Sequence, residues 1–126
     1  MNILLWVLQV LLAVAFFAHG LLFLFPPADM VAMMNATIPP PLRIFLGVAE
    51  VLAAFGLTLP GITRRLPWLT WWAAAGLIPI MMGATVLHVM RDEGSSAVIT
   101  AILFVMVTFV AYLRWKVKPI APRTTA

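Results

Sequence analysis

No cysteine occurs among the 126 residues. That absence removes disulfides, thiolate nucleophiles and Cys-held metals or clusters together. Charge is nearly as scarce, with 10% of residues charged against 64% hydrophobic. A soluble domain carries about a quarter charged residues. Placed in water, this chain would expose large apolar patches and aggregate. Lipid removes that conflict, so the composition describes an integral membrane protein whose first partner is the bilayer. No basic stripe interleaves with aromatics, so the net charge of +4 does not point to nucleic acid. No Lys or Arg precedes Arg43, and the opening apolar run is too long for a signal-peptide core. It is expected to remain as a span. Internal repeats and low-complexity linkers are also missing.

Four continuous apolar runs are present instead, at about 3–25, 42–59, 67–89 and 97–112. Each approaches the ~20 residues that cross a bilayer as a helix. Helices satisfy their own backbone in lipid, and the runs lack the alternation of barrel strands. The expected fold is all-α: a polytopic membrane four-helix bundle in one transmembrane domain, residues 1–115, with a short basic tail at 116–126 that is expected to fray. Arg64, Arg65, Arg114, Lys116, Lys118 and Arg123 are six of the eight basic residues, and four spans put them all on one side. The positive-inside rule then places both termini in the cytoplasm. Trp6, Trp68, Trp71, Trp72 and Trp115 fall at the same ends of their spans, as an interfacial belt would.

The connections are short. ITRRLP reads as a tight turn, and RDEGSS as another in which Ser95 or Ser96 is expected to cap the last span. The loop at 26–41 is longer. Its Met30, Val31, Met33 and Met34 suit one face of a short surface helix, either interfacial or a lid. Thioethers also suit Cu(I), but no His or Cys stands near Met30, Met33 and Met34 to support copper. Pro79, after Gly76, is expected to disturb the third span. Gly83 and Ala84 leave room for a helix or a ligand.

Polar residues within the spans are few: Gln9, His19, Arg43, Glu50, Thr58, Thr85, His88 and Thr108. Depth counted at 1.5 Å per residue puts His19, Arg43, Glu50 and His88 in the outer half, and Gln9 and Thr58 in the inner half. On the second span, Arg43, Gly47, Glu50 and Ala54 share a stripe. Gly47 leaves space beside Glu50. Arg43 and Glu50 lie ~10.5 Å apart along the axis, and both side chains lean toward the N-terminus, so a bridge between them is not expected. Arg43 is expected to snorkel to outer headgroups or to Asp92 and Glu93. His19 or His88 is the better partner for Glu50. An intramembrane acid is costly and marks a functional site. Glu50 and His19 are thus the candidates for proton chemistry, with Arg43, Gly47, Thr85 and His88 as candidate ligand contacts. Haem between His19 and His88 is disfavoured because their depths differ by about two turns. A metal held by two histidines and one acid is a weak reading for so few ligands.

The segment Arg43-Ile-Phe-Leu-Gly-Val-Ala-Glu50, continued through Gly56 to Pro60, resembles the DoxX-like family. So do the third span from Trp68 to His88 and the turn Arg91-Asp-Glu93. The resemblance covers about residues 3–115. It implies a small four-helix bundle in the bacterial inner membrane, in a family whose relatives include quinone-coupled thiosulfate oxidation, oxidative-stress complexes and receptor assembly. Members often carry a lysine in a Gly-x-x-Lys pattern ending the first span, where Gly20-Leu-Leu-Phe23 stands here. If that lysine pairs with the acid of the second span, His19 is its substitute.

Three functions compete. One is a redox-linked accessory subunit with a quinone or small apolar ligand around Glu50. No residue here carries electrons unaided, so that function requires a redox partner. The second is a non-enzymatic assembly or scaffold protein that uses Gly47 and Gly83 to bind another membrane protein. The third is a small proton-coupled transporter, disfavoured because comparable exporters place their acid in the first span. Enzymatic activity is left open by these residues. A bundle this small often needs a partner, another copy of itself included.

Overall fold

The computed structural model describes residues 1–124; the last two positions of the basic tail lie outside the described residues. Helix α1 spans Asn2–Leu24, α2 Ala28–Thr37, α3 Pro40–Thr63, α4 Trp68–Met90 and α5 Gly94–Tyr112. A π turn, Leu113–Val117, prolongs α5. Among the described residues there is no strand. Four helices are long and apolar enough to cross a membrane, the last taken as Gly94–Val117. The chain therefore has the build of a small membrane protein.

The helix ends differ from the apolar runs for local reasons. α3 begins two residues before its run because Pro40 and Pro41 occupy its first turn, where a missing N–H costs nothing. It passes through Pro60 and ends at Arg64, whose φ of 56° is left-handed. α5 takes in Gly94, Ser95 and Ser96, and Glu93 precedes it without a side-chain cap. The expected serine cap is therefore absent: both serines already lie within the helix.

The helices pack as two pairs, α1 on α3 and α4 on α5, joined through α3 and α4, while α1 and α5 touch lightly. Small residues set the approach. A Cβ on Gly20 would lie 2.9 Å from the Gly47 carbonyl oxygen, and one on Gly47 would lie 3.0 Å from that of Gly20. α1 and α3 thus meet backbone to backbone, as close membrane packing requires. At Gly56 the bare α3 backbone takes the Ala73 methyl of α4, which lies 2.7 Å from where a Cβ would stand. Around this contact Leu5, Leu12, Leu57, Leu77, Val107 and Val110 are sealed from solvent. Outward positions such as Val14, Leu52 and Val105 stay exposed and apolar, a surface suited to acyl chains.

Asn2, the turn after α3 and the π turn share one end of the bundle, the terminal end. The opposite end carries α2. At the terminal end the described part of the tail is docked where fraying was expected. Nε of Arg64 donates to the Ala121 carbonyl at 3.0 Å, and the Arg123 N–H donates to the Arg64 carbonyl at 2.8 Å.

Candidate functional site

The inward face of α3 reads Arg43, Gly47, Glu50, Ala54, Leu57 and Gly61, all buried. Steps of three and four keep these residues on one stripe, so the only acid within a span is aimed at the bundle interior. Glu50 is 1% exposed. Its Oε2 lies 2.7 Å from Nδ1 of His19 on α1. With Glu50 ionised, the Nδ1 N–H of His19 donates to it. Among the described residues no group hydrogen-bonds Oε1. The His19 ring packs at 4.4 Å between centroids against Phe23, one turn further along α1. The half-exposed ring thus bridges the buried acid and the space outside it.

That space is a cleft of about 1120 Å³ at the α2 end. All five helices contribute to its wall, which is mostly apolar: Phe16, Phe45, Leu46, Ile80 and Leu103 are among its residues. His19, Arg43, Glu50 and His88 supply polar groups from three helices. α2 brings Met33 and Met34 to it. Gly76, Pro79, Gly83 and Ala84 form the α4 side, and Cβ atoms placed on Gly76 or Gly83 would meet nothing within 4 Å. The small residues of α4 therefore border open volume.

Four of the six candidate residues share this cleft, and two do not. Gly47 is occupied by α1, whose Leu24 side chain would stand 2.9 Å from an added Cβ. The gap that Gly47 opens is filled by a helix and leaves no room for a ligand. Thr85 turns away to α5, its Oγ1 lying 2.7 Å from the Met81 carbonyl oxygen and 2.9 Å from Thr100 Oγ1. Arg43 departs from its expected surface position. It is 8% exposed and donates to the Phe23 carbonyl in the last turn of α1. A helix C-terminus carries unsatisfied carbonyls and partial negative charge, which draws the guanidinium inward. Nε of Arg43 is buried without a partner. Glu93 is paired by Arg91 at 2.8 Å, with Nδ1 of His88 at 3.6 Å. The two histidines thus face different acids.

A second polar cluster was not anticipated. Arg114, 3% exposed, lies at the terminal end and donates from Nε to Gln9 Oε1 at 2.6 Å and from a terminal nitrogen to Asn2 Oδ1 at 2.7 Å. Gln9 in turn donates to the Leu57 carbonyl at 2.7 Å. Little in the sequence signals it: Gln9 lies inside the first apolar run and Arg114 beyond the end of the last, and only the continuation of α5 through the π turn brings the two together. Counting Arg114 only as a topological charge hid it.

Residues 7–110 match the DoxX-like family. The chain belongs to the DoxX-like family. No curated protein and no solved structure gives a significant match. In this DoxX-like chain position 23 is Phe, which has no polar group to pair with the acid of α3, and the partner of Glu50 comes from His19.

Proposed function

We propose that this DoxX-like protein is a redox-linked accessory subunit of the bacterial inner membrane, with both termini in the cytoplasm. Its cleft holds a quinone or a similar small apolar molecule with a polar head. The observation that supports this is a buried carboxyl, paired on one oxygen by His19 and unpaired on the other, in the wall of an apolar cleft. Apolar walls with a few convergent polar groups are the common form of small-molecule sites. Converting a quinone to its quinol takes two electrons and two protons. Glu50 and His19 pass protons to the quinone oxygens. The electrons come from a partner protein's cofactor, since no side chain of this chain supplies them. Arg43 lines the same cleft and adds positive charge near the head.

Gly47 lies against α1 within the chain and offers no face to another protein's helix. The assembly alternative draws no support from it. The test is to purify the protein in mild detergent and measure quinone in the lipid extract, then titrate quinone into stripped protein. Wild type is expected to retain quinone. Glu50→Gln should bind it at least about tenfold more weakly, the scale of one hydrogen bond to a charged group. Absence of quinone from the extract, together with no binding on titration, would sink the proposal.

A further inference from the structure

The terminal end contains a second, smaller cavity of about 420 Å³, bounded by Asn2, Trp6, Gly61, Arg64, Lys118 and Ile120 together with backbone of the docked tail. Its construction depends on Gly61. A Cβ there would lie 2.6 Å from the Trp6 ring and 2.8 Å from Ile120 Cδ1. The bare glycine lets both apolar groups close over α3 and form the floor and one wall. The left-handed turn at Arg64 brings its side chain round to the tail, where it binds the carbonyls of Ala121 and Pro122 at 3.0 and 3.2 Å.

The polar inventory of this cavity is one-sided. The Lys118 ammonium makes no hydrogen bond within the described protein, and neither does the Asn2 amide nitrogen or one terminal nitrogen of Arg64. Three nearby acceptors are engaged: Asn2 Oδ1 and the Lys118 carbonyl take Arg114, and the Ala121 carbonyl takes Arg64. Behind Asn2 and Lys118 stands the Arg114 guanidinium, held by neutral acceptors alone, with one terminal nitrogen buried and unpaired. The acidic side chains Asp29, Glu50, Asp92 and Glu93 all belong to the other half of the bundle. Among the described residues no acidic side chain offsets these cations; a buried cation without a counter-charge is costly, and a surplus of cationic donors favours an anion.

The geometry points to a binding site here for a phosphate-bearing anion. The Lys118 ammonium and the Arg64 guanidinium take the phosphate oxygens, and Arg114 adds charge from behind. The apolar Trp6 and Ile120 sides and the position at the end of the spans favour the headgroup of an anionic phospholipid; free phosphate has the same chemistry. The site is separate from the Glu50 cleft and stands whether or not a quinone binds there.

The experiment uses full-length protein, stripped of lipid in mild detergent and observed by native mass spectrometry. Phosphatidylglycerol, phosphatidylcholine and inorganic phosphate are the probes. Phosphatidylglycerol is expected to bind at least about tenfold more tightly than phosphatidylcholine. Lys118→Gln should weaken it about fivefold, and the double variant with Arg64→Gln about twentyfold, following the contribution of single basic groups near a membrane surface. The Lys118 ammonium has no partner among the described residues, and its backbone bonds to Arg114 and Leu113 do not depend on the side chain, so Lys118→Gln should leave the thermal midpoint unchanged. Binding of inorganic phosphate that Lys118→Gln weakens likewise would support the site and identify free phosphate as an occupant. Equal binding of the two lipids, or undiminished binding of all probes by a folded Lys118→Gln, would overturn the proposal.

Discussion

Gly20 and Gly83 are both glycines within spans, yet their surroundings give them opposite roles. A methyl on Gly20 would stand 2.7 Å from Val51 Cγ2 and 2.9 Å from a backbone oxygen that cannot yield without moving α3. Gly20→Ala is expected to cost about 1–3 kcal/mol, the range for overpacking, and to shift His19 from Glu50. Gly83→Ala meets open space and should gain up to about 1 kcal/mol from helix propensity. Thermal unfolding in detergent, followed by circular dichroism, would separate them; equal effects would contradict the packing described. Sequence depth placed His19 and Glu50 in one layer, and their contact follows from that layer and the α3 stripe. Arg43 was less legible. Its partner is the Phe23 carbonyl, a backbone group that residue types do not reveal. Gly47 shows the same limit: a gap in a stripe looks alike whether a helix or a ligand fills it.

Among the elements, α1, α3 and α5 are tied at the terminal end through Arg114, Gln9 and the Leu57 carbonyl. α1 and α5 otherwise touch lightly, so this chain of hydrogen bonds is their main polar link. Arg114→Met should lower stability by about 1.5–3 kcal/mol, as expected for hydrogen bonds to a charged group. A chemical-denaturation series in detergent would measure it, and an unchanged midpoint would show that packing alone holds the helices. The spans themselves were plain in the sequence because lipid demands long apolar runs. α2 was legible from the spacing of Met30, Val31, Met33 and Met34. The docking of the tail was not, because it depends on Arg64 meeting Ala121 across 57 positions and leaves no periodic trace.

For the whole molecule, the charge distribution carries the proposed orientation, and the absence of cysteine makes it simple to test. Ser95→Cys at the α2 end and Arg123→Cys at the terminal end each introduce a single thiol. In intact cells a membrane-impermeant maleimide should label the first and spare the second until the cells are opened. The reverse pattern would invert the orientation. The two ends also differ in build. Near the terminal end α3 and α4 close at Gly56 and Ala73, above a plug of Leu5, Leu12, Leu57, Leu77, Val107 and Val110. At the α2 end the same helices line a cleft. The bundle is therefore a cup with a sealed base. A molecule in the cup lies on the α2 side of that base. A continuous path to the far side would require that base of packed leucines and valines to part.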